Sequence, residues 1–153
     1  MSGAEMIWFL QNLVVPLVRG DETDGRFTLM QMDGPPGDQP PLHVHRDTDE
    51  GLFVLSGQLT VWAGKQQVSL GPGEFFHAAR GVPHTYRVSD AGPARWLVTA
   101  SPAGFDTFVA LVGKPASEHR LPDAGPPPDP EQLASLAAEH GIEILGPPGA
   151  LPS

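Results

Sequence analysis

Between residues 27 and 99, short apolar runs alternate with clusters of Gly, Pro and Asp. The interval is roughly 8 to 12 residues, which predicts short strands joined by turns in a sandwich or small barrel. The runs place strands at residues 26–32, 42–45, 51–55, 58–63, 66–70, 74–78, 84–89 and 96–100. Ser56-Gly57 and Gly64-Lys65 read as tight hairpin turns. No helical period occurs in this stretch. Upstream, residues 6–18 form one apolar run, read as a strand added to a sheet edge or to a partner subunit.

The pattern changes after Ser101. Residues 105–112 suit a short helix or a last strand, and 113–128 are rich in Pro, Gly and charge, as a surface linker would be. "DPEQLASLAAEHG" then predicts a helix. Asp129 is its N-cap, Pro130 its first position, and Gln132 completes a capping box. Leu133, Leu136, Ala137 and His140 share one face, and Gly141 stops the helix. So short a helix is marginal alone, and its apolar face must dock on the barrel or on a neighbour. The expected division is a β-barrel with its N-terminal strand over 1–112, and the linker with the docked helix over 113–153.

Composition narrows the partners. The 153 residues suffice for one domain. There are 18 acidic and 9 basic residues, a net charge of -9, which argues against nucleic acid and against an anionic membrane. The absence of cysteine excludes disulfides and thiolate chemistry. No run approaches the ~20 apolar residues that span a bilayer, and residues 1–20 lack a basic start and a small-residue cleavage site. The expectation is a soluble cytoplasmic protein.

The chemistry concentrates in "PPLHVHRDTDEGLFVLSG". On a strand, residues two apart face the same way, so His43 and His45 present both imidazoles to one side. Two buried imidazoles need partners for their nitrogens, and a divalent metal provides one while tolerating a carboxylate. Glu50 follows a polar bend that can return its carboxylate to the same point, and His84 opens another strand after a turn. Three imidazoles and one carboxylate suit Fe, Ni, Mn, Co, Cu or Zn, and suit Ca²⁺ or Mg²⁺ poorly. A lone strand His is more often a surface or satisfied core residue, so the spacing has to decide.

The full spacing is Gly37-x5-His43-x-His45-x4-Glu50-x6-Gly57, followed by Gly73-x5-Ala79-x-Gly81-x2-His84. It resembles the two signature motifs of the cupin superfamily. Ala79 stands where that family usually has Pro, and Val88 where it often has Asn. Neither is a ligand position. The resemblance covers residues 26–99 and implies an all-β fold, a double-stranded β-helix or jelly-roll barrel, here with a C-terminal helix. It implies one divalent transition metal ion per chain, held by His43, His45, Glu50 and His84, with one or two coordination positions open. It also implies a mostly apolar pocket for a small-molecule substrate at the barrel mouth. The candidate wall residues are Phe27, Leu29, Gln31, Phe53, Phe76, Tyr86 and Trp96.

The remaining polar residues rank lower. If Phe76 lines the pocket, His77 beside it points outward. His119 and His140 are read as structural, Asp47 and Asp49 as a solvated bend, and Arg46, Arg80 and Arg87 as surface residues. Small bacterial cupins related to quercetin 2,3-dioxygenase are similar in their "IWFLQNLV" start and "GIEILGPP" end. That similarity implies a metal-dependent dioxygenase acting on an aromatic or enol-bearing molecule. Glu50 would then be ligand and catalytic base, best served by a pKa raised towards neutrality. A non-oxidative metallo-cupin (polyketide cyclase, dehydratase or isomerase) and a non-catalytic binding cupin remain open. A homodimer is expected, because the N-terminal run exceeds what a barrel needs.

Overall fold

The computed structural model describes residues 5–153; residues 1–4, where the expected barrel division begins, lie outside it. The first apolar run folds as two strands, β1 (Ile7–Phe9) and β2 (Asn12–Val18), paired antiparallel. The single strand expected over 6–18 is corrected here: Leu10 adopts φ +54° and turns the chain back. The barrel strands follow as β3 (Thr28–Gly34), β4 (Pro41–His45), β5 (Asp49–Ser56), β6 (Leu59–Ala63), β7 (Gln66–Leu70), β8 (Phe75–Ala78), β9 (His84–Val88) and β10 (Ala94–Ser101). Then come helix α1 (Phe105–Val112), the two-residue β11 (Lys114–Pro115), helix α2 (Pro130–Glu139) and β12 (Ile142–Pro148).

Two antiparallel sheets face each other. One runs β11-β1-β2-β3-β10-β5-β8 and the other β12-β4-β9-β6-β7. Alternation decides what lies between them. In β3, Thr28, Met30, Met32 and Gly34 are buried, while Leu29, Gln31 and Asp33 take the outer face. Met30, Val54, Val61, Val88 and Trp96 form the core between the sheets.

Of the two expected hairpin turns, Gly64-Lys65 joins β6 to β7 as one. Ser56-Gly57 does not: β5 and β6 lie in different sheets, and the chain crosses between them there. Gly57 has φ +78°, and a Cβ on it would sit 2.5 Å from the Pro93 carbonyl oxygen. The crossing therefore requires glycine for both conformation and room.

The C-terminal segment is woven into both sheets. β11 extends the first beyond β1, and β12 pairs with β4, setting Ile142 opposite His45 and Ile144 opposite His43. β12 has no counterpart among the elements the sequence predicts. α2 buries Leu133 and Ala137. Its Asp129 cap accepts from the Glu131 N–H at 3.2 Å, one residue earlier than a capping box with Gln132 requires. No helix among the described residues is long and apolar enough to cross a membrane.

Candidate metal centre

His43 and His45 lie on β4, and His84 opens the neighbouring β9, directly opposite His43 in the ladder. The bend after His45 carries the chain across to the other sheet. There Glu50, in β5, pairs with Ala78 on one side and Ala100 on the other. The Gly81 N–H donates to the His45 carbonyl at 2.8 Å, and the Val82 N–H closes the turn at Ala79 at 3.3 Å. Alanine in place of proline thus leaves a bonded turn that ties the second motif to the first.

One ligand atom from each of His43, His45, Glu50 and His84 falls within 4.8 Å of all the others. His45, Glu50 and His84 are buried at 4%, 6% and 3% exposure. The His43 Nδ1 lies 2.7 Å from the Pro41 carbonyl, and the His84 Nδ1 3.1 Å from that of Val82. A carbonyl only accepts, so both Nδ1 atoms carry protons, and in the neutral rings the Nε2 lone pairs are left free. The Glu50 Oε1 is 2.9 Å from the His84 Nε2. It is also 3.2 Å from the His45 Nε2, but misaligned for a hydrogen bond, which leaves that buried nitrogen without a partner. Converging ring nitrogens, one carboxylate oxygen common to two rings and an orphaned buried nitrogen fit a divalent transition ion, for which His84 would give up the proton it shares with Glu50. The four residues could hold one.

The charges are mutually dependent. Burial, reinforced by His84 and His45, pushes His43 down to about 3. Burial opposes ionisation of Glu50, yet the imidazoles of His45 and His84 outweigh it and hold the carboxyl well below its usual range. The expected rise of Glu50 towards neutrality is thus reversed, because two imidazoles beside one carboxylate oxygen stabilise the anion more than burial disfavours it. His84 is raised: burial lowers it, but the Glu50 carboxylate wins.

The cluster opens onto a cavity of about 70 Å³. Most of its wall is apolar: Phe9 and Leu10 from the first hairpin, Phe105 and Phe108 from α1, Leu133 and Ala137 from α2, and Ile142 and Ile144 from β12. Phe105 sets its ring edge-on to His45 at 5.7 Å, and the Phe9, Phe105 and Phe108 rings lie 5.9 to 6.3 Å apart. None of these was a wall candidate. The apolar faces of 105–112 and of the C-terminal helix were visible in the sequence; where they dock was not.

Of the seven candidates, Tyr86 lines the cavity. Leu29, Gln31 and Phe53 belong to the outer face of the first sheet, where Leu97 pairs with both Gln31 and Phe53. The error is one of strand parity: the inward neighbours Met32 and Leu52 line the cavity instead. Phe27 precedes β3 and is 42% exposed. Phe76 packs on the core, and Trp96 is fully buried beneath Tyr86 at 5.2 Å; both fill the barrel interior rather than its mouth. His77 is exposed and lies 3.6 Å from Asp49. Arg46, Arg80 and Arg87 form surface ion pairs with Glu143, Asp49 and Asp90. His140 caps α2, its Nδ1 donating to the Leu136 carbonyl at 2.9 Å.

Residues 30–100 match the family profile described as the cupin domain. Residues 30–100 form a cupin domain. Over 100 residues this cupin is 33% identical to quercetin 2,3-dioxygenase of Bacillus subtilis. That alignment covers 65% of this chain and 29% of the relative, so the chain spans less than a third of that protein's length. Among solved structures it is similar to a Thermus thermophilus protein, with a TM-score of 0.54 and 28% identity over 60% of this chain and 84% of that one. The polyketide cyclase RemF of Streptomyces resistomycificus has a TM-score of 0.53 and 22% identity, over 66% and 70% of the two chains. At that identity the likeness is one of fold.

Proposed function

We propose that this cupin is a metal-dependent enzyme of the quercetinase type, a dioxygenase acting on a small aromatic or enol-bearing molecule. The observation that carries the reading is the convergence of three imidazoles and one carboxylate on an aromatic-walled cavity. The relative in Bacillus subtilis supports the same reaction class.

A divalent transition ion held by His43, His45, Glu50 and His84 would supply a Lewis acid and, if redox-active, a route for dioxygen chemistry. The chain's own residues do the rest. The Pro41 and Val82 carbonyls accept from Nδ1 of His43 and His84 and so turn the Nε2 of each ring towards the site. Glu50 is the one acid among the lining residues, so it is the group placed to take a proton from a substrate hydroxyl. Held ionised by its imidazole neighbours, it is ready to accept but is a weak base. Phe9, Phe105 and Phe108 offer faces and edges to a flat substrate and keep water from it.

The test is the metal content of the purified protein combined with oxygen uptake on adding quercetin. A redox-active ion near one per chain, with uptake, is expected. Zinc without uptake moves the reaction to a non-oxidative cyclase, dehydratase or isomerase. Protein that takes up no transition metal refutes the reading.

A further inference from the structure

Once the four-residue cluster is set aside, the cavity lining holds two polar side chains, Asn12 and Tyr86. Tyr86 follows His84 by two residues on the same face of β9, roughly 7 Å along the strand. Among the described residues its hydroxyl has no hydrogen-bond partner, and it is not a sealed-off buried atom. A phenol in that position donates one hydrogen bond into the cavity.

Asn12 arrives from the other sheet, at the start of β2, and is 3% exposed. Its Nδ2 donates to the Asp38 Oδ2 at 2.6 Å and, more weakly, to the Asp33 carbonyl at 3.4 Å. Both amide hydrogens are used, and since a carbonyl cannot donate, the amide orientation is fixed. What Asn12 has left is its Oδ1, an acceptor. Asp38, itself 5% exposed, is the residue that positions it. Asn12 and Tyr86 both flank the Trp96 indole: the Tyr86 ring meets it edge-on at 5.2 Å, and a Cβ on Gly34 would sit 2.9 Å from Trp96 Cη2 and 3.1 Å from Asn12 Nδ2.

We propose that Tyr86 and Asn12 form a second recognition point, which selects ring substrates carrying a hydroxyl beyond the group that faces the His/Glu cluster. A hydroxyl both accepts and donates, so it satisfies the Tyr86 phenol and the Asn12 carbonyl together, and a bare ring edge satisfies neither. The proposal rests on the cavity being the substrate site.

The experiment measures anaerobic binding of two flavonols to the metal-loaded protein. Quercetin carries ring hydroxyls besides its enol, and 3-hydroxyflavone has the enol alone. A neutral hydrogen bond is worth about three- to tenfold in affinity. Tyr86→Phe, which keeps ring and packing, is expected to weaken quercetin by that factor and to leave 3-hydroxyflavone within about twofold. Asn12→Ala is expected to do the same, with 3-hydroxyflavone reporting that the cavity is intact. Asp38→Ala, acting through Asn12, is expected to shift the ratio of the two affinities in the same direction. Unchanged ratios in Tyr86→Phe and Asn12→Ala overturn the proposal while leaving the site reading in place. Equal losses for both flavonols overturn it too, since the residues would then not read the hydroxyl. If neither flavonol binds the wild type, the reading of the cavity falls and this inference falls with it.

Discussion

Replacing His45 with alanine removes one of four donors without altering the strand that carries it. The Glu50 Oε1 keeps its 2.9 Å contact with His84, and the new space joins a cavity that already exists. The core of Met30, Val54, Val61 and Val88 is untouched, so the barrel is expected to fold. Four-ligand zinc-type sites bind with about 10–16 kcal/mol, so one ligand is worth roughly 3 kcal/mol, or about a hundredfold in Kd. With free metal at about a thousand times the wild-type Kd, binding stabilises the fold by about 4 kcal/mol. A site weakened a hundredfold gives about 1.4 kcal/mol under the same conditions. For a chain of this length the difference is about 5–11 °C in the metal-induced rise of Tm. The assay is paired thermal melts of wild type and His45→Ala, with and without metal, alongside a competition titration. A variant whose metal-induced shift and Kd match those of the wild type refutes the ligand assignment. A variant that is unfolded without metal refutes the claim that the core stands apart from the site.

Glu50→Gln preserves shape but removes the proton acceptor; turnover of a quercetinase-type substrate should fall by about two to four orders of magnitude, and steady-state oxygen uptake on metal-loaded variant would reveal unchanged activity if Glu50 is not the base. Metal affinity should weaken as pH falls: His84 is raised and must shed a proton to bind, while His43, at about 3, and the ionised Glu50 have none to shed over that range. Titrations at successive pH values below that of His84 should show a slope from His84 of about tenfold per unit, and a flat profile contradicts the charge assignment. Gly57→Ala combines φ +78° with a Cβ 2.5 Å from the Pro93 carbonyl, and urea unfolding should show a loss of about 3 kcal/mol; a loss below about 0.5 kcal/mol would mean that the crossing does not need glycine. The outer face of the first sheet bears exposed Leu55 and Phe75 beside Phe53 and Leu97, and we expect it to pair two copies, which light scattering of a monomer at micromolar concentration would exclude.

The eight barrel strands were legible because a half-buried strand writes its burial into every second residue. The four clustered side chains were legible because the motif spacing is local to two strand-turn segments. Parity is the weak point: a slip of one residue exchanges Leu29, Gln31 and Phe53 on the outer face for Met32 and Leu52 on the cavity wall. Apolar residues on both faces of a strand, as in β5 with Leu52 and Val54 on one and Phe53 and Leu55 on the other, give no sign of which face is inside. The single run over 6–18 hid a turn at Leu10, a residue with no preference for the left-handed conformation it adopts.

By itself the sequence determined the barrel strands and, through a motif spacing that resembles the cupin signature, the His/His/Glu/His set; both rest on patterns within a few tens of residues. Only the tertiary structure decided what encloses that set. The first hairpin, α1, α2 and β12 come from opposite ends of the chain, and nothing in their local patterns specifies the surface on which their apolar faces will be buried. Tertiary packing also fixed the sign of the Glu50 shift. That sign depends on two imidazole nitrogens within about 3 Å of one oxygen, a distance that spacing along the chain cannot encode.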